Sequence, residues 1–247
     1  MKKGFTLAEV LITLGVIGVV AALTLPSVIQ NHRQKAVETK LAKFYSMVNQ
    51  AIQRSELDNG ETKTWYDGYS QITDEFINKY FMPYFNGATY NEENKSITFA
   101  DGTGMMFYDK YGKDIYFCTE GSLCSSISRN VSGSNPGGSL VPAPSLESDT
   151  SVLDTYNGKK IFAFTFAPAY YGRLSSTCLP ALRPGRNAIC SDTFESGSGI
   201  KKGIEPQYFD VEEDTDFAQL VQDDPNYITL VTYRNGWKVP KGYPIKF

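Results

Sequence analysis

The residues that could carry chemistry in this sequence are few and widely spaced. His32 is the only histidine. A single imidazole excludes metal sites that need two histidines, and it also excludes most kinds of histidine-based catalysis. The sequence also contains no phosphate-binding loop and no dinucleotide-binding glycine motif. We therefore expect the chain not to be an enzyme.

Four cysteines are the next candidates for chemistry, and all of them lie beyond residue 117. They are Cys118, Cys124, Cys178 and Cys190. An even number of cysteines in an exported domain favours two disulfide bonds, for which three pairings are possible. We favour Cys118–Cys124 and Cys178–Cys190, because each pair encloses a short, turn-rich segment. A zinc site with four cysteine ligands is the alternative, although the C-x-x-C spacing of such sites is missing.

Glu9 is the one charged residue in an apolar run that covers residues 5–25. As a helix, this run would be about 31 Å long at about 1.5 Å per residue, which matches the hydrocarbon thickness of a bilayer. The run therefore predicts a membrane-spanning helix. A carboxylate in such a helix is costly unless it is paired, so Glu9 is a candidate functional residue.

The residues around Glu9 resemble the N-terminal signal of type IV prepilins and type II secretion pseudopilins. A short basic leader ends at Gly4, Phe5 follows, a glutamate comes four residues later, and an apolar helix continues. The resemblance implies that prepilin peptidase cleaves between Gly4 and Phe5 and methylates the new N-terminus at Phe5. It also implies that Glu9 meets the N-terminal amine of a neighbouring subunit in a filament. Pro26 matches a proline that pilin helices often carry, and we assign it to assembly.

This resemblance implies a structural subunit of a type IV pilus or a type II secretion pseudopilus. The implied partners are other pilin or pseudopilin subunits, prepilin peptidase, the inner-membrane assembly platform and, before assembly, the lipid bilayer. The subunit would cross the inner (cytoplasmic) membrane once, with an extracytoplasmic head, and later join a cell-surface or periplasmic filament. The sequence does not separate pilus from pseudopilus, major from minor subunit, or one cargo or adhesion target from another.

Two other interpretations of the apolar run remain open. It could be a plain membrane anchor, or it could be a secretory signal peptide cleaved near Ala22. In either case the rest of the chain would be an extracytoplasmic binding domain. The anchor gives no reason for Glu9, and a signal peptide would carry this carboxylate as an uncommon feature of its apolar region.

Helical periodicity continues beyond the apolar run. Apolar residues recur at steps of three and four over residues 37–52, and Gly60 follows as a plausible C-terminal cap. After a leader at 1–4, we predict one helix over residues 5–57. Its transmembrane and filament-core part covers 5–25, and its amphipathic part covers 26–57.

The remaining residues, 58–247, are predicted to form an extracytoplasmic head rich in antiparallel strands. Strands are predicted at 96–99, 105–108, 114–117, 160–166, 227–233 and 237–239, the last two joined by a turn at Asn235 and Gly236. A short helix is expected at 73–80, and the Gly/Ser/Pro-rich segment 131–149 predicts an exposed loop. The predicted fold class is α+β, with a long N-terminal helix packed against a mostly antiparallel sheet, as in pilins.

The charges of the head predict no strong ligand site. The net charge of the full chain is −3, with 24 basic and 27 acidic residues, which disfavours nucleic-acid binding by the protein as a whole. We expect Arg173, Arg183 and Arg186 to lie in a solvated loop. The acidic stretch at 212–224 is also expected to be a solvated loop. Some pseudopilins bind calcium in a C-terminal loop, so a calcium site is the alternative there. We predict no metal site and no cofactor.

Overall fold

The computed structural model describes residues 6–65, 72–108, 114–127, 158–166, 182–185, 188–190, 204–206, 228–240, 243 and 245–247. Within these ranges the α-helices are α1 (Leu7–Asn59), α2 (Asp74–Tyr80), α3 (Gly121–Ser126) and α4 (Ile228–Arg234). The strands are β1 (Thr89–Asn91), β2 (Ser96–Thr98), β3 (Gly104–Phe107), β4 (Asp114–Cys118), β5 (Ile161–Phe166), β6 (Leu182–Pro184), β7 (Ala188–Cys190) and β8 (Ile204–Pro206). Short 3₁₀ turns lie at Thr62–Thr64 and Met82–Tyr84.

Helix α1 is 53 residues long, or about 80 Å at about 1.5 Å per residue. Pro26 lies inside it without ending it. The helix ends where the Gly60 N–H donates to the Glu56 carbonyl at 2.9 Å. Gly60 has φ +82°, a conformation that side chains disfavour. The predicted helix and its glycine cap are therefore confirmed.

The two halves of α1 differ in what surrounds them. Residues 6–29 are all exposed in the monomer. Beyond them, one face of the helix is buried against the head, at Val37, Leu41, Phe44, Val48, Ala51, Ile52 and Ser55. We refer to residues 7–29 as the apolar half and to residues 30–59 as the docked half.

The head is built on an antiparallel meander of six strands in the order β1-β2-β3-β4-β5-β6. At its centre, Phe117 of β4 is opposite Met105 of β3 and Phe162 of β5. Strands β7 and β8 form a separate antiparallel pair. The combination of a long helix and an antiparallel sheet confirms the predicted α+β class.

The central strands are covered on both faces. One face packs on the docked half of α1, where the Phe44 ring stacks on Phe117 at 4.4 Å between centroids and meets the edge of Phe164 at 5.0 Å. The other face packs on α3, with Met106 and Tyr116 in a second, smaller cluster. This double burial explains why β3 and β5 are buried along their whole length rather than alternating.

Most of the predicted strands are confirmed. The predictions at 96–99, 105–108, 114–117 and 160–166 correspond to β2, β3, β4 and β5, and the predicted short helix corresponds to α2. The segments 131–149 and 212–224 lie outside the described residues.

The predicted hairpin at 227–239 is wrong, because residues 228–234 form α4. The run of β-branched residues favours a strand, but packing of this segment over β5 and β6 overrides that preference. Buried Thr232 donates its hydroxyl to the Ile228 carbonyl one turn earlier, at 2.8 Å. Gly236 ends the helix instead of turning a hairpin. The N–H groups of Gly236 and Trp237 donate back to Tyr233 and Thr232, the pattern of a Schellman cap.

Arg183 is not in a solvated loop as predicted. It lies in β6, opposite Thr165 of β5, and its side chain is fully buried. Burial raises the pKa of neighbouring Tyr45, and the positive charge of Arg183 acts in the opposite direction. Arg183 is thus part of the packing between α1 and the edge of the sheet. Arg173 and Arg186 lie outside the described residues.

Candidate functional site

The apolar half of α1 is a continuous apolar surface. Its large side chains are exposed, including Leu7, Leu11, Leu14, Ile17, Val20, Leu23 and Ile29. The helix is long and apolar enough to cross a membrane, and this part of it is not buried against the head. A surface of this kind requires either a bilayer or other apolar helices around it.

The hydroxyl groups of the apolar half are satisfied within the helix. Thr13 donates to the Val10 carbonyl at 2.9 Å, and Thr24 donates to the Val20 carbonyl at 2.9 Å. Ser27 donates to the Thr24 carbonyl at 2.8 Å. These are the hydroxyl-bearing residues between Leu7 and Ile29. The segment therefore places no unpaired hydroxyl into an apolar environment, which suits a membrane or a filament core.

Glu9 has a partner in its own chain. The carboxylate oxygen Oε2 accepts hydrogen bonds from the Thr6 backbone N–H at 2.8 Å and from the Thr6 hydroxyl at 2.9 Å. In return, the Glu9 N–H donates to the Thr6 hydroxyl at 3.2 Å. This is a capping box, and it places a negative charge at the positive end of the helix dipole.

The capping box was missed in the sequence analysis, although its T-x-x-E pattern is visible there. In the described part of the chain both bonds to the carboxylate use Oε2. Oε1 is therefore available to a second donor. Gly4 and Phe5 lie outside the described residues, and cleavage between them would leave Phe5 directly before the capping residue.

Pro26 lies near the end of the apolar half. It has no N–H to donate to the carbonyl of residue 22, so the backbone ladder has a gap at this turn. The helix continues on both sides of the gap. The structure of the single chain places Pro26 in a helix, and the assembly role of this residue stays a prediction.

The docked half of α1 is tied to the head by polar contacts as well as by packing. The Glu38 carboxylate accepts from the Val239 N–H at 2.9 Å, and Lys43 pairs with Asp101 at 2.6 Å. Partial burial raises the pKa of Asp101, but hydrogen bonds from Lys43 and Thr103 outweigh it and lower the pKa to about 2. These contacts hold the head at a fixed place along the helix.

Cys118 and Cys124 form a disulfide bond, as predicted. Both sulfur-bearing side chains are fully buried, and the bond joins the end of β4 to α3. Cys178 lies outside the described residues, and Cys190 is described only as backbone of β7. The second pairing therefore stays a prediction.

The described residues contain no candidate metal site: no group of three histidine, cysteine or acidic side chains among them could hold a metal ion. The acidic stretch at 212–224, where calcium is the alternative, is not in the described ranges. His32 lies on an exposed face of α1, close after the apolar half.

Comparison with protein families divides the chain at Pro26. Residues 1–25 match the model of the prokaryotic N-terminal methylation motif, which is the signal of type IV pilins and pseudopilins. Residues 27–178 match a family of unknown function, DUF6613. The chain belongs to the DUF6613 family. No curated protein and no solved structure matches it. The resemblance seen in the first 25 residues is thus confirmed, and the DUF6613 region comprises the docked half and part of the head.

Proposed function

We propose that this DUF6613 protein is a structural subunit of a type IV pilus or a type II secretion pseudopilus. Prepilin peptidase would cut between Gly4 and Phe5 and methylate Phe5. The subunit would then be assembled through its N-terminal helix and would catalyse no reaction of its own. The observation that carries the proposal is the coincidence of the methylation motif with the exposed apolar half of α1.

The exposed side chains of the apolar half need apolar surroundings both before and after assembly. Before assembly they would be surrounded by lipid, and the subunit would contact the inner-membrane assembly platform in the membrane. In a filament, the same side chains would pack against the apolar halves of neighbouring subunits. The head needs neither environment, because its core is formed by the docked half and the sheet.

Glu9 gives a reason for a defined arrangement between subunits. Cleavage creates a positively charged amine at Phe5. Opposite charges about 4 Å apart attract by about 4 kcal/mol at an effective dielectric constant near 20, before desolvation is subtracted. Because the capping box uses Oε2, the other carboxylate oxygen could accept the amine of a neighbour without breaking the bonds to Thr6.

The test is the chemical state of the N-terminus. Intact-mass analysis and N-terminal sequencing of the protein from its native host should find N-methylated phenylalanine at Phe5. A protein that still begins at Met1 would point to a plain membrane anchor. One trimmed near Ala22 would point to a secreted domain. The proteins encoded beside it would then separate a pilus from a secretion pseudopilus.

A further inference from the structure

A groove of about 530 Å³ lies between α1 and the head, just beyond the apolar half of the helix. On the helix side, Arg33 and Lys40 are seven residues apart and lie on one stripe with Val37. The head side comes from the turn after β4 and the turn before β5. The charged or polar residues of these turns that line the groove are Thr119, Glu120, Lys159 and Lys160.

The walls of the groove are joined by hydrogen bonds. The Lys40 ammonium donates to the Thr119 carbonyl at 2.9 Å, which ties the helix to the head. The Thr119 N–H donates to the Lys160 carbonyl at 2.8 Å, which joins the two turns. These links fix the two backbone segments from which the charged side chains extend into the groove.

The groove carries an excess of positive charge. Four cationic side chains line it against one carboxylate side chain, Glu120, and that carboxylate pairs with Lys160 at 2.7 Å. Phe247 also lines the groove, and the cations are still in excess if its α-carboxylate is counted. Within the described ranges, no side-chain hydrogen bond or ion pair neutralises Arg33 or Lys159. An anion would find donors on both walls.

The groove lies close to the end of the apolar half, and this position favours a lipid phosphate as the anion. Ile29 is the last exposed large apolar residue of that half. At about 1.5 Å per residue, Arg33 lies about 6 Å further along the helix and Lys40 about 10 Å beyond Arg33. The headgroup layer of a bilayer is about 5–8 Å thick on each side of the hydrocarbon. With the apolar half in the bilayer, the Arg33 end of the groove lies at the level of the lipid headgroups, and the Lys40 end lies in the water just beyond them.

We propose that this basic groove binds the phosphate of an anionic phospholipid while the subunit is still in the membrane. The inference rests on the membrane-anchored stage of the proposed function. The positive charge of the groove is complementary to a phosphate, and the position of the groove directly beyond the apolar half favours a lipid over a soluble anion. Binding would hold the lower end of the head on the bilayer surface until the subunit is extracted into a filament.

The proposal is tested with the full chain purified in detergent. Native mass spectrometry would compare the binding of phosphatidylglycerol with that of phosphatidylcholine, and we expect a preference for phosphatidylglycerol. Each cation attracts an anionic headgroup, so Arg33→Gln or Lys159→Gln should weaken phosphatidylglycerol binding about fivefold, and the double variant about 25-fold.

A matched control is available on the same helix. Arg54 is an exposed arginine of α1, about 30 Å further from the membrane than Arg33 at about 1.5 Å per residue. Arg54→Gln removes the same charge but should change phosphatidylglycerol binding less than about twofold, because at this distance the charge is screened.

Two results would overturn the inference. The first is an unchanged lipid preference in the double variant; if that variant also fails to enter filaments, the groove is instead a contact between subunits. The second is displacement of phosphatidylglycerol by inorganic phosphate at constant ionic strength, which would make the groove a site for soluble anions. Methylation of Phe5, read in the same preparation, reports on the proposed function separately from both.

Discussion

At the scale of single residues, Glu9 has one observed role and one proposed role. It caps α1 through Thr6, and we propose that it neutralises the amine of a neighbour. The cap needs a hydrogen-bond acceptor, whereas the contact between subunits needs a charge. Glutamine satisfies the first need but not the second, because the third position of a capping box accepts either residue.

Glu9→Gln should therefore preserve the start of α1 but reduce incorporation into filaments by about tenfold or more, which corresponds to about 1.4 kcal/mol. Such a loss is expected because a charge-assisted hydrogen bond is replaced by a neutral one. The measurement is the amount of variant in sheared filaments relative to the amount in membranes.

Thr6→Ala is the complementary variant. It removes the hydroxyl of the cap, a loss of about 1 kcal/mol in helix stability, but keeps the charge of Glu9. We expect its incorporation to stay within about fivefold of the parent. If Thr6→Ala fails to assemble while Glu9→Gln assembles normally, Glu9 acts as a cap and not as a charge partner.

At the scale of elements, packing and charge hold the docked half of α1 to the sheet with different strengths. Phe44 is fully buried between Phe117 and Phe164. The ion pair of Lys43 and Asp101 is partly exposed, with 57 % of the Lys43 side chain accessible. Exposed ion pairs contribute about 0–1 kcal/mol, whereas truncation of a buried phenylalanine to alanine costs about 3–5 kcal/mol.

Phe44→Ala should therefore lower the free energy of unfolding of the head by about 3–5 kcal/mol. Asp101→Asn should lower it by about 1–2 kcal/mol, because the hydrogen bonds from Lys43 and Thr103 that lower the pKa of Asp101 are weakened. Thermal unfolding of the full chain in detergent, followed by near-ultraviolet circular dichroism, compares the two variants. Equal losses would mean that polar contacts, and not the aromatic cluster, position the head on α1.

Local sequence patterns predict some of the elements correctly and others not. The long helix was predictable because its apolar run, its stripe and its glycine cap are local signals. Strands β2 to β5 were predictable because each is a short apolar run bounded by turn residues. Helix α4 was not, because β-branched residues favour a strand and only the packing over β5 and β6 decides otherwise. The same limit applies to Arg183, since its burial arises from neighbours distant in sequence.

The candidate site was predictable to a similar extent. The proposed cleavage residues, Gly4 and Phe5, and the candidate Glu9 follow from a motif with fixed spacing, which is readable in any chain that carries it. The basic groove does not, because Arg33 and Lys159 come together only when the turn before β5 reaches α1. Local motifs therefore indicate the class of the protein, while surfaces formed by tertiary contacts require the structure.

At the scale of the whole molecule, the two parts of the chain differ in burial and not in secondary structure. One helix passes through both parts without a break. The apolar half contributes no buried residue to the core, whereas the docked half contributes Leu41, Phe44 and Val48. Stability of the head and the proposed attachment to a membrane or filament therefore depend on separate segments of the same element.

This division predicts that a chain beginning at Gln30 folds as well as the full chain. Removal of the apolar half deletes exposed side chains only, so the midpoint of thermal unfolding of the head should change by less than about 4 °C, which for a domain of this size corresponds to about 1 kcal/mol. Because the surface that needs lipid is gone, the shortened chain should be monomeric in buffer without detergent. Sedimentation velocity and circular dichroism together measure both properties. A shortened chain that is unfolded, or that aggregates with its head intact, would show that the apolar half or a further exposed surface of the head takes part in more than attachment.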